Sequence, residues 1–176
     1  MDMAGSLRNQ ILLPEQKVIF DYWRQQCLNK GLPSHQDIDP SLIGAFLPTV
    51  SLMEVCNKTS DPRYKIRLAG TGLYNFYEKE ITGAYLDDLP CGDRVGYWNR
   101  IYNAMVDSKR PRIGVTRPGT PTGGHLLQFW LRLPLSCDGE NVSMILGFDK
   151  FVKRNQLKGD IGESGKTLIN SVVCYN

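Results

Sequence analysis

The chain has 176 residues, 41% of them hydrophobic and 22% charged, with a formal net charge of +3. That length suits one domain with its own hydrophobic core, and the composition excludes a disordered chain. A charge this small argues against a dedicated nucleic-acid binder, and no run approaches the roughly 20 apolar residues that a bilayer span requires.

Residues 1–13 read as a polar leader. They have an acidic second residue and only three consecutive apolar residues, Ile11–Leu13, so no signal peptide is predicted and a cytoplasmic location is expected. Pro14 suits the first position of a helix in which Val18, Ile19, Tyr22, Trp23 and Cys27 recur at helical spacing, and Gly31 ends it. Asp39-Pro40 predicts the cap and first residue of a short second helix carrying Leu42, Ile43, Phe46 and Leu47.

Strands follow at Val50–Cys56 and Arg63–Gly70, joined as a hairpin through the polar turn Asn57–Pro62. In the second strand Tyr64, Ile66 and Leu68 alternate with Arg63, Lys65 and Arg67. Thr71–Glu80 is a short helix, Thr82–Leu89 a turn with a brief helical piece, and Asp93 the expected cap of a longer helix. Along that helix Trp98, Ile101, Tyr102, Met105 and Val106 form one stripe. Three more strands are predicted at Pro111–Arg117, Leu126–Leu135 and Val142–Phe148, with a turn at Asp138-Gly139. From Val152 the chain reads as a flexible tail or partner-binding segment. Residues 14–151 are expected to form the domain.

Strands grouped in twos and threes around a helical insert predict an α+β fold with an antiparallel sheet, helices over one face and an extra N-terminal helix. Ordered motifs then carry a resemblance. They are Asp21-Tyr22-Trp23-Arg24, Pro33-Ser34, Asp37-Ile38-Asp39-Pro40, Leu47-Pro48, Arg67-Leu68-Ala69-Gly70-Thr71 and Thr82-Gly83-Ala84-Tyr85-Leu86-Asp87-Asp88-Leu89. Leu133-Pro134-Leu135-Ser136, Asp138-Gly139 and Met144-Ile145-Leu146-Gly147 complete the series. From about residue 18 to 149 the chain resembles short, stand-alone bacterial PAS-domain proteins. The resemblance implies a five-stranded antiparallel sheet, a helical clamp over one face and a role in signalling. It implies no particular ligand.

Motifs for chemistry are sparse. Gly162–Thr167 ends in Gly-Lys-Thr, but Asp160 stands where a phosphate-binding loop needs its first glycine, and no buried strand precedes it. Of the two histidines, His35 and His125, neither has an evident orienting partner. Cys27, Cys56, Cys91, Cys137 and Cys174 are scattered without a Cys-x-x-Cys, so neither a metal site nor a disulfide framework is expected. The surroundings of Cys91 do not match the flavin-reactive motif of light-sensing PAS relatives, and no metal, haem or flavin is expected. Asp87 and Asp88, adjacent in sequence, do not make a catalytic carboxylate pair, and no catalytic residue is assigned.

The expected ligand pocket is tyrosine-rich: Tyr74, Tyr77, Tyr85, Trp98, Tyr102, Met105, Phe129 and Met144. Leu68, Phe129, Leu131 and Met144 are expected to face the clamp, opposite Trp98, Ile101 and Met105. Arg63, Lys65, Arg67, Arg117 and Arg132 read as a solvated strand face, or more sharply as a surface for an anionic partner. Val18, Ile19, Tyr22 and Trp23 are the expected surface for a homodimer or a signalling partner. The function predicted is a non-enzymatic sensory module that binds a small ligand, a protein partner or both. The alternative is a small-molecule enzyme on a cone-like α+β fold, which needs polar groups converging in the cavity.

Overall fold

The computed structural model describes residues 3–56, 62–120 and 123–156. Residues 57–61, where the hairpin turn is predicted, residues 121 and 122, and residues 157–176, with the Gly-Lys-Thr motif and Cys174, lie outside them. Five strands, β1 (Val50–Cys56), β2 (Arg63–Ala69), β3 (Arg112–Thr116), β4 (Leu126–Leu135) and β5 (Met144–Lys153), form one antiparallel sheet in the order β2-β1-β5-β4-β3. Among the described residues four α-helices accompany it: α1 (Met3–Gln10), α2 (Pro14–Lys30), α3 (Thr71–Tyr77) and α4 (Val95–Ser108).

Both faces of the sheet are covered. On one, α3, α4 and the intervening turns form a clamp over Met53, Val55, Tyr64, Ile66, Trp130 and Ile145. On the other, α2 lies across Leu131, Leu133, Leu135, Leu146 and Phe148. The buried stripe of α2 is Gln16, Ile19, Phe20 and Trp23, turned from the predicted one, so that Val18 is 50% exposed. Trp23 donates its indole N–H to the carbonyl of Pro134 at 3.0 Å. Pro134 itself is tolerated because β3 reaches along β4 only as far as Arg132, so no neighbour on that side needs the missing N–H.

Local differences from the predicted elements have physical causes. The leader carries α1, tied to α2 by a bidentate Arg8–Asp21 pair at 2.6 and 2.7 Å. Asp39 does cap the next segment, accepting from the Ser41 amide, but Pro40–Thr49 winds as 3₁₀ helix and kinks at Ile43. Asp93 sits inside a 3₁₀ turn and caps nothing; α4 starts two residues later, at Val95. The β1–β2 register shifts between Leu52 and Met53, so Leu68 pairs with Leu52 while Ile66 pairs with Met53. This bulge turns Leu68 away from the clamp and leaves it 49% exposed.

Candidate functional site

β4 presents Leu127, Phe129, Leu131, Leu133 and Leu135 on one face, as its alternation predicts, but that face belongs to α2. Phe129, Leu131 and Met144 therefore do not face the clamp. The alternate residues Gln128, Trp130 and Arg132 do. Arg132, expected on a solvated surface, is only 4% exposed.

The guanidinium of Arg132 lies over Gly147, where a Cβ would come within 3.3 Å of Arg132 Nη1 and 2.4 Å of the Ser51 hydroxyl. Glycine makes the space. Nη1 donates to the carbonyls of Leu131 at 2.9 Å and Phe148 at 3.1 Å, and Nε donates to the Tyr102 hydroxyl at 3.0 Å. Nη2 donates to Asp149 Oδ1 at 2.9 Å, an oxygen that also accepts from Gln128 Nε2 at 2.7 Å. The Trp98 ring lies 4.9 Å from the guanidinium carbon, and Trp98 stacks in turn on Tyr102. Burial pulls the guanidinium pKa down, but Asp149 and Tyr102 pull it up further, and the net shift is upward. The charge is held, not relieved by deprotonation.

Beside this pair the clamp leaves a cavity of about 30 Å3 whose polar wall is Ser51, Tyr77, Cys91, Tyr102, Arg132 and Asp149. That is room for one or two water-sized groups. Burial, then the neighbouring Cys91 and Asp149, raises the Tyr77 phenol, and burial likewise raises Tyr102. Burial pushes the Cys91 thiol up to about 11. All three groups keep their protons at neutral pH, so the wall offers hydrogen-bond donors and no thiolate.

Of the predicted pocket residues, Tyr77, Trp98 and Tyr102 line this cavity. Met105 is fully buried in the clamp core without lining it. Tyr74 is 49% exposed on α3, and Tyr85 lies at the β2 edge beneath Arg63, 4.1 Å from its ring centroid. Phe129 and Met144 pack on the α2 side, because both faces of β4 are buried and alternation alone does not say which cover each face meets. Of the predicted partner surface, Ile19 and Trp23 are consumed by the chain's own core, leaving Val18 exposed and Tyr22 partly so. Tyr22 is further tied down by the Asp39 amide, which donates to its hydroxyl at 2.7 Å. Sequence reasoning missed Ser51, Gln128, Arg132 and Asp149. One signal was available: Trp130 shares a face with Gln128 and Arg132, and a tryptophan there implies a covered face on which any charge needs a partner.

The clamp cavity, at about 30 Å3, is too small for a flavin ring. No group of three or more His, Cys, Asp or Glu side chains that could hold a metal exists among the described residues. None of their helices is long and apolar enough to cross a membrane.

The chain is similar in structure to a light-oxygen-voltage domain studied with a flavin analogue, at 14% identity over 76% of this chain and 94% of that one, TM-score 0.48. It is similar to the light-oxygen-voltage protein of Rhodobacter sphaeroides, at 12% identity over 76% and 74%, TM-score 0.46. It is similar also to the light state of the blue-light photoreceptor Aureochrome1 domain, at 12% identity over 76% and 97%, TM-score 0.44. No curated protein matches it. A family model described as a PAS domain matches residues 13–149, well over half of the sequence and all five strands except the end of β5, and the chain belongs to that family.

Proposed function

We propose that this PAS domain is a non-enzymatic sensory module whose input is a small polar ligand held beside Arg132 and Asp149. Its output is a change in how α2 lies on the sheet. The observation that carries this reading is the buried Arg132–Asp149 pair on the wall of the clamp cavity. A buried ion pair is often less stabilising than apolar residues of equal volume, so its presence at a polar hollow favours a recognition role. The output follows from β5. Asp149 points into the clamp, while the next residue, Lys150, points to the opposite face and pairs with Glu15 of α2.

Absence of catalysis is supported by Cys91 and the phenols of Tyr77 and Tyr102, all held protonated, while the carboxylate on the same wall, Asp149, is engaged by Arg132 and Gln128 and not by a nucleophile. The enzyme reading keeps one point in its favour, since the cavity wall holds two charged groups besides phenols.

A thermal-shift screen with polar molecules of only a few non-hydrogen atoms, the size the cavity admits, tests the proposal. A true ligand at a hundred times its Kd should stabilise by about 2.7 kcal/mol, raising Tm by roughly 5–10 °C. The shift should vanish in Tyr77→Phe and survive in Leu68→Asp, which lies on the other side of the sheet. A shift lost in Leu68→Asp and kept in Tyr77→Phe would place the ligand elsewhere, and turnover of the ligand would favour the enzyme.

A further inference from the structure

Six large apolar side chains stand exposed among the described residues: Val18, Leu28, Leu42, Leu47, Leu68 and Tyr74. Four belong to one corner of the molecule. Leu42 and Leu47 lie on the 40–49 segment, Leu68 ends β2 beside it, and Tyr74 is on α3, which packs against that segment. An apolar groove of about 570 Å3 opens there, lined by Ile43 and Leu47 of the segment and by Val50, Leu52, Leu68 and Leu146 of the sheet. The bulge in β2 creates it, by turning Leu68 to this face. Leu42 stands next to the groove without lining it and is 64% exposed, whereas its neighbour Ile43 is 2% exposed and lines it. Further along β1 and β2, Glu54 and Arg67 form an exposed ion pair at 3.4 Å.

We propose that a second copy of this chain occupies the groove, in a two-fold dimer in which Leu42 of each protomer enters the groove of the other. Projection and hollow sit side by side on one segment, so a single two-fold rotation seats both at once and closes the assembly. The charges agree. Glu54 and Arg67 are adjacent on the same surface, so the rotation sets acid against base from each protomer and makes the rim self-complementary. A stable interface needs about 800 Å2 from each partner, more than the groove alone provides. Leu42 on the segment and Tyr74 on α3, both exposed and outside the groove wall, add apolar surface to that of Leu47 and Leu68. This dimer face lies on the opposite side of the sheet from the clamp.

Sedimentation of the full-length protein tests the arrangement. At high micromolar concentration the expected mass is twice 19.9 kDa. Leu42→Asp and Leu68→Asp should each give a monomer with the wild-type circular dichroism spectrum. Glu54→Arg and Arg67→Glu should each weaken self-association by roughly tenfold or more, because like charges then face each other. Mixing those two variants in equal amounts should restore the dimer, since each altered charge then meets an opposite one. Three results would overturn the proposal: a monomeric wild type, a dimer that persists in both leucine variants, or a charge-variant mixture that stays monomeric.

Discussion

Arg132 shows what a single residue does to the reading of a strand. In Gln128-Phe129-Trp130-Leu131-Arg132 the odd positions are apolar and the even ones mostly polar, which is the pattern of a half-exposed strand. The polar positions are buried nevertheless, because Asp149, Tyr102 and two backbone carbonyls satisfy the guanidinium. Partners of this kind come from distant parts of the chain, and alternation carries no record of them. The expected consequence is asymmetric. Arg132→Met alone, or Asp149→Leu alone, strands a buried charge and should cost about 3–5 kcal/mol. Replacing both together should cost clearly less than the sum of the two. Urea unfolding of the single and double variants measures this, and additive costs would mean that the two side chains do not stabilise one another.

For the helices and strands, periodicity identified nearly every element but not its ends or its company. β5 runs to Lys153, five residues beyond its predicted end, because Asp149 and Lys150 are paired on opposite faces and the strand continues through them. The bulge at Leu68 was invisible, since a single inserted residue leaves the apolar count unchanged while reversing the face. In α2 the predicted stripe places Ile19, Tyr22, Trp23 and Cys27 on the core side, but it includes the exposed Val18 and omits Phe20, which is fully buried.

The anchoring of α2 gives a pH-dependent expectation. A hydrogen bond from Lys150 holds the Glu15 carboxyl below its usual 4.5, against the opposing effect of burial. A lowered carboxylate pKa stabilises the fold above the unfolded value, and that stability is lost as pH falls through the folded one. The pair is partly exposed, so Glu15→Gln should cost no more than about 1 kcal/mol at pH 7. Melting curves should show the wild type and the variant converging as the pH drops below 4.5. A difference that persisted at lower pH would exclude the ion pair as its source.

At the scale of the whole molecule, the five-stranded antiparallel sheet with its clamp and extra N-terminal helix was legible in the order of the elements. The candidate site was legible only in part. Tyr77, Trp98 and Tyr102 were reachable because clamp helices and turns place aromatic residues inward. The charged half was not, because it depends on which layer covers each face of a sheet that is buried on both sides. That two-sided burial is also what links the clamp to α2: Asp149 and Lys150 are neighbours on one strand, Asp149 bonded to Arg132 on the clamp face and Lys150 to Glu15 of α2 on the other. The indole N–H of Trp23, bonded to the Pro134 carbonyl, is a natural reporter of the α2 side. The most direct measurement is therefore the ¹⁵N–¹H correlation spectrum of Tyr102→Phe, which removes only the hydroxyl that accepts from Arg132. Shifts that reach Lys150, Glu15 and the Trp23 indole are predicted; shifts confined to the clamp side, with the Trp23 indole unmoved, would contradict the coupling.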